Sequence, residues 1–400
     1  MYDIIIIGGG IVGTASAYKL SLQHPDLKIL VLEKDKIAAH QTGHNSGVIH
    51  SGLYYKPGSY KAKNCVDGRR ELVAFAKEHN LKHDICGKII VASDVSELPF
   101  MNKAYNNGLQ NGVEGIEKIS AAQIREIEPY AVGVEGIWVP CTGIIDFAGV
   151  SRKYVELIKR NENGEVLEGV EVLGFEKHPT FTKVITRKQV YEARYIINCA
   201  GLQCDRIAKK DGVNPDLKIV GFRGDYYDLT EQGKKKVRNL IYPVPNPAFP
   251  FLGVHFTRMV NGETECGPNA VFTFKREGYG KTDFNLTDTY EALSYAGTWK
   301  LFFKEWRFGL DEYKGAFSKK LFLKRLQKLI PTLTLDDIQP GRAGVRAMAL
   351  DHDGNMIDDF KIEHNNNSLH VLNAPSPAAT ASLAIGNAIS QMAKERFHLS

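Results

Sequence analysis

The sequence predicts an α/β (α+β) fold built around a parallel nucleotide-binding sheet. Three observations predict it. The β-branched run Ile4 to Ile7 enters a glycine-rich turn, and a small-residue helix pattern follows from Thr14 to Leu20. A second apolar run, Lys28 to Leu32, comes next, which is the β-α-β order of a parallel sheet buried on both faces. The length, 400 residues, exceeds one simple core and suits two domains or one interrupted by another.

The turn reads Gly8-Gly9-Gly10-Ile11-Val12-Gly13 and matches G-x-G-x-x-G. Gly8 allows the tight turn, Gly10 lets backbone approach a pyrophosphate, and Gly13 lets the helix pack close to the strand. The helix N-terminus offers free N–H groups and positive dipole charge to phosphates. Glu33 lies twenty residues past Gly13, where an acidic group takes ribose hydroxyls. Strand, glycine turn, helix and acid together make a Rossmann-like unit. Glu33 argues against NADP and leaves NAD and FAD open.

The next segment favours FAD. His40-Gln41-Thr42-Gly43-His44-Asn45-Ser46-Gly47-Val48-Ile49-His50-Ser51-Gly52 is a polar, glycine-rich loop where an NAD enzyme proceeds to a third strand and helix. Such residues suit an extended cofactor that needs donors along its length. Tyr195 to Asn198 reads as a buried strand ending in the small turn Cys199-Ala200-Gly201. Leu369 to Leu372 reads as another, followed by the turn Asn373 to Thr380 and a helix from Ala381 to Met392. Between these, Lys88 to Ala92 reads as a strand, Ala121 to Pro129 as a short helix and Asp146 to Arg160 as a longer one. Residues 165–201 alternate as strands, and 215–335 holds strands and then a helical segment.

Composition excludes several classes. The net charge of +5 is far below a nucleic-acid-binding footprint, so no nucleic-acid partner is expected. None of the six cysteines forms a CxxC pair, so no metal site is expected. The N-terminus lacks a basic leader, and no window reaches 18 consecutive apolar residues, which reads as a cytoplasmic protein. Trp299 to Phe308 interleaves aromatic and basic residues, and Lys319, Lys320, Lys324, Arg325 and Lys328 follow. Peripheral contact with the inner face of a membrane is one expectation for this stretch; a helix packed on its own sheet is the other.

With these residues in hand, the chain resembles the glycine oxidase/D-amino-acid oxidase-like FAD superfamily and, within it, the L-2-hydroxyglutarate dehydrogenase/oxidase family. The stretches that carry the resemblance are HQTGHNSGVIHSGLYYKPGSYKAK at 40–63, GPNAVFTFKREGY at 267–279, GRAGVRAMALDHDGNMIDDF at 341–360 and NAPSPAATASLAIG at 373–386. The resemblance covers nearly the whole chain. It implies a Rossmann-like FAD-binding domain in segments 1–84, 146–214 and 339–400, with a substrate domain on a mostly antiparallel sheet inserted as 85–145 and 215–338. It implies FAD as cofactor and oxidation of L-2-hydroxyglutarate to 2-oxoglutarate, with electrons passing to a quinone or to oxygen. It places Gly8, Gly10, Gly13, Glu33, Asn45, Ser46, Ala200, Gly201, Pro377, Ala378, Ala379 and Thr380 against FAD. Arg346 stands where related oxidases put a carboxylate-binding Arg in a GLRP-like motif, although Ala347 replaces the Pro here.

Oxidising a 2-hydroxy acid moves a hydride from carbon to the flavin and a hydroxyl proton to a base. Arg pairs bidentately with carboxylates, which makes Arg346 the first substrate anchor. Histidine suits the base. Of the twelve, His50 lies in the flavin loop and His255 in the strand pattern Phe251 to Thr257. Tyr242 offers a hydroxyl to the substrate, and Lys275, with Arg276 beside it, is the candidate for the distal carboxylate. The rival readings are an amino-acid oxidase or glycerol-3-phosphate dehydrogenase on the same fold, an NAD-linked dehydrogenase, and a non-catalytic nucleotide-binding protein.

Overall fold

The computed structural model describes residues 1–245 and 252–399. Its first sheet has eight strands. Five run parallel in the order Gly164–Leu167, Ile29–Leu32, Tyr2–Ile7, Val190–Asn198 and Ser368–Asn373. Ile4, Ile5 and Ile6 are fully buried, because both faces of their strand are covered. Helices Ile11–Gln23 and Ser382–Phe397 pack on one face, through Ala17, Leu20, Ile385 and Ile389 against Ile4 and Ile6. The antiparallel strands Val172–Lys177 and Thr182–Thr186 extend the sheet, and their Val172 and Val184 pack with Ile5 and Ile7 on the other side. The C-terminal helix runs five residues beyond the Met392 read from sequence, since Ala393 and Phe397 continue its buried stripe.

Among the described residues the second sheet has nine strands and is mostly antiparallel. Lys88–Ala92 sits inside it, parallel to Leu240–Pro243 and antiparallel to Glu135–Val139. Its long members are Lys218–Leu229 and Ile338–Leu350, paired from Lys218 opposite Leu350 to Leu229 opposite Ile338. This pairing corrects the segment boundary expected at 339. The strand Ile338–Leu350 belongs to the second sheet along its whole length, and the chain rejoins the first sheet at Lys361–His364. Of the strand pattern Phe251 to Thr257, Phe251 lies outside the described residues, and the strand formed is His255–Arg258.

A small third sheet, of Val48–Ile49, Gly143–Ile145 and His83–Asp84, lies between the two large ones in sequence. The aromatic-basic stretch forms helix Ala296–Phe317, bent at Glu305, followed by Lys319–Leu326.

Candidate active site

The glycine turn is shaped by close backbone approach. Gly8 has φ +112°, and a Cβ there would sit 2.4 Å from the Cys199 carbonyl oxygen. A Cβ on Gly13 would lie 2.0 Å from the Gly8 carbonyl oxygen, so this residue closes the helix onto the strand and does not line the cavity. Gly10 differs: the nearest atom to its Cβ position is Thr42 Oγ1 at 3.4 Å, and the residue lines the cavity. The buried Glu33 carboxylate accepts the N–H groups of Gly9 at 2.7 Å and Asp35 at 2.8 Å, which fixes it at the cavity edge.

The loop at 40–52 is held from three directions. Thr42 Oγ1 accepts the Ile11 N–H at the start of the first helix. From the second sheet, Arg342 donates to the carbonyls of Gly43 (2.9 Å) and Asn45 (2.6 Å) while paired with Glu265, and His44 Nδ1 donates to the Ala343 carbonyl at 2.9 Å. From the C-terminal turn, Thr380 Oγ1 accepts the His50 N–H at 3.0 Å and donates to the Val48 carbonyl. The Asn45 amide is occupied inside the loop, donating to Thr42 and accepting from Gly47. Asn45 and Thr380 therefore line the cavity with side chains committed to holding it in shape.

One cavity of about 770 Å³ runs between the two sheets. Gly8, Gly10, Glu33, Ala200, Gly201 and the turn Pro377 to Thr380 line it from the first sheet. Asn45, Ser46 and His50 line it from the loop, and Tyr226, Tyr242, His255 and Arg346 from the second sheet. Lys275, expected to anchor the distal carboxylate, does not line it. It is half-buried outside the cavity, on the segment whose next residue, Arg276, is buried in an ion pair with Asp205 and Glu291.

His255 Nδ1 lies 2.9 Å from the Gly253 carbonyl oxygen. A carbonyl only accepts, so Nδ1 carries the proton and Nε2 keeps its lone pair. Burial pushes the His255 pKa down to about 4, helped by the Arg346 and Lys88 charges and opposed by the Gly253 bond. Burial, with Lys88 and His255, pushes His50 down to about 3. Both rings are therefore neutral at neutral pH. Arg346 Nη1 donates to the Asn269 carbonyl at 3.3 Å, which turns the guanidinium along the cavity wall. The Tyr242 ring lies 4.0 Å from that of His255, tilted by 33°, and burial raises its pKa, keeping the hydroxyl protonated as a donor.

Sequence reasoning missed Tyr226, which gave no motif signal, and Arg342. It also missed Lys88, whose ammonium stands 4.9 Å from the Tyr54 ring centroid and 4.7 Å from that of Tyr242. Here a signal existed: a lysine two residues from Ile90 and four from Ala92 occupies their apolar face. An elongated cleft with a bare glycine turn and helix N-terminus at its wall fits a dinucleotide cofactor, and its second-sheet wall fits an anionic substrate.

A family model described as FAD dependent oxidoreductase matches residues 3–392. An L-2-hydroxyglutarate dehydrogenase of Indibacter alkaliphilus is 47% identical, over 99% of this chain and 100% of that protein. The mitochondrial L-2-hydroxyglutarate dehydrogenase of Homo sapiens is 45% identical, over 100% of this chain and 90% of that protein. Among solved structures, the FAD-bound, dithionite-reduced L-alpha-glycerophosphate oxidase of Mycoplasma pneumoniae superposes with a TM-score of 0.78 at 22% identity, over 98% of this chain and 94% of that one.

Proposed function

This chain belongs to the FAD-dependent oxidoreductase family and, within it, to the L-2-hydroxyglutarate dehydrogenases; it is an FAD-dependent enzyme, and we propose that it oxidises L-2-hydroxyglutarate to 2-oxoglutarate with Arg346 and His255 at the reacting end of the substrate. The observation that carries the residue assignment is that Arg346, His255 and Tyr242 line the same cavity as the glycine turn. Gly8, Gly10, Glu33, Ser46, Ala200, Gly201 and the turn Pro377 to Thr380 would hold FAD, with Asn45 acting through its backbone. Bound FAD supplies the acceptor for the hydride that leaves C2 with its electron pair. Arg346 binds the C1 carboxylate and sets the orientation of C2. His255 Nε2 takes the hydroxyl proton as the C2–O bond becomes a carbonyl. Tyr242 donates to a substrate oxygen, and His50 bounds the cavity from the loop side.

Anaerobic mixing of the oxidised holoenzyme with L-2-hydroxyglutarate tests the assignment. Flavin absorbance should bleach with the L form and not with the D form, glycine or glycerol 3-phosphate. A flavoprotein that stays oxidised with the L form sinks the substrate assignment.

For the electron acceptor, the outer face of helix Ala296–Phe317 favours a quinone held in a bilayer over oxygen. Trp299, Phe303, Trp306 and Leu310 recur at helical spacing, and all are exposed, Phe303 by 75%. Arg307, Lys319 and Lys320 flank them. An exposed apolar stripe beside basic side chains suits peripheral contact with an anionic membrane. Among the described residues, no helix is long and apolar enough to cross one.

A further inference from the structure

Lys88 is the least expected charge in the molecule. It opens the strand Lys88–Ala92 in the middle of the second sheet and is 1% exposed. Its side chain shares a face with Ile90 and Ala92, which pack with Tyr242 and Val48. Among the described residues its ammonium meets two aromatic faces, Tyr54 and Tyr242, and no carboxylate. The other titratable groups around it are Cys65 and Cys141 from neighbouring elements, and His50 and His255 from the cavity wall. Aromatic faces compensate a buried ammonium only in part, and an unpaired buried charge is costly.

Tyr242 lines the cavity and Lys88 does not, so the charge stands one side chain behind the wall. Tyr54, on its other side, has a buried hydroxyl with no hydrogen-bond partner among the described residues. We infer that Lys88 is a specificity-determining residue: its ammonium, set behind Tyr242 and Tyr54, supplies the positive potential that selects a substrate with a second, distal carboxylate. This rests on the functional reading above, in which Arg346 holds the first carboxylate. In a water-poor interior a charge one side chain away still acts on an anion. The same burial that leaves the ammonium without a carboxylate pushes its pKa down to about 8. A dianion in the cavity would raise it again.

The test uses Lys88→Met in the holoenzyme, with 2-oxoglutarate and 2-oxopentanoate as probes. The second has the same five carbons with a methyl in place of the distal carboxylate. Affinities are read from perturbation of the flavin spectrum. Lys88→Met should weaken 2-oxoglutarate by about tenfold or more and leave 2-oxopentanoate within about twofold. Its melting temperature should hold or rise, because an apolar side chain of similar volume removes the buried charge. Equal weakening of both acids, or no weakening of either, overturns the inference; equal weakening would mean that Lys88 acts on the shared end of the substrate.

Wild-type protein gives a second measurement that does not depend on the variant folding. Its affinity for 2-oxoglutarate should fall as pH rises above about 8 while that for 2-oxopentanoate stays flat. Parallel pH curves overturn the inference. Wild-type holoenzyme that binds neither acid and is not bleached by L-2-hydroxyglutarate fails the functional reading itself.

Discussion

A histidine proposed as a base need not have a pKa near neutrality before substrate arrives. His255 is held neutral by burial and by Arg346, with its Nδ1 proton fixed on Gly253. Its folded pKa lies below the ordinary value near 6.5, so the neutral ring persists as pH falls and protonates only near pH 4. The acid limb of kcat/KM should therefore lie well below pH 6.5 in wild type. His255→Gln should lower kcat by about 10²- to 10⁴-fold with little change in product affinity. Arg346→Met should instead weaken binding of 2-oxoglutarate by tens of fold, and Arg346→Lys should not restore it, because a point charge cannot reproduce the two-pronged contact. Stopped-flow flavin reduction separates the two effects. A His255→Gln variant reduced at the wild-type rate would remove His255 from its role. Motif and face marked Arg346 and His255, which line the cavity, but nothing local marked that Lys88 would stand behind its wall while Lys275 stays outside it. That difference depends on which strand crosses behind the cavity, and this is a matter of sheet order.

At the scale of elements, the first strand, glycine turn and helix were legible from residues 1–33 because local steric demands write themselves into sequence. Gly8 and Gly10 carry different demands, and the pair can be split. Gly8→Ala forces a side chain into φ +112° and against the Cys199 carbonyl, so it should destabilise the fold itself by about 2 kcal/mol or more. Gly10 has φ −72°, and a Cβ there would meet only Thr42 Oγ1, at 3.4 Å. Gly10→Ala should leave the melting temperature of the apoprotein unchanged and weaken FAD by about tenfold or more. Thermal melts of apoprotein and FAD titrations check both, and an undisturbed FAD affinity in Gly10→Ala would mean that the pyrophosphate lies elsewhere. The clamp on the loop at 40–52 was not legible. Arg342 reaches Gly43 and Asn45 across roughly 300 positions of sequence, and no local pattern marks such a contact.

For the whole molecule, two large sheets share one cavity, and the chain passes between them repeatedly. The last crossing was not readable from local pattern. GRAGVRAMAL looks like a return to the cofactor domain, whereas its thirteen-residue strand pairs throughout with Lys218–Leu229. The outer face of helix Ala296–Phe317 is also a property of the assembled molecule, since only the finished fold decides which side of an amphipathic helix is left uncovered. The holoenzyme should bind vesicles rich in anionic lipid at low salt and release as salt rises. The double change Phe303→Glu and Trp306→Glu should cut that binding by about tenfold while leaving flavin reduction by substrate intact. Equal partition of wild type and variant onto the vesicles would end the membrane reading.

The glycine turn and the turn that ties down His50 through Thr380 stand far apart in sequence, and their strands flank the same central strand, Val190–Asn198. During synthesis the first half of the cradle leaves the ribosome more than three hundred and fifty residues before the second. A nascent chain therefore presents the bare edge of Val190–Asn198, with Ile196 and Ile197 on it, for as long as the last strand is still being translated. Cofactor capture is thus deferred until the strand Ser368–Asn373 and the turn after it have been made, and that apolar edge must be kept from other chains in the meantime.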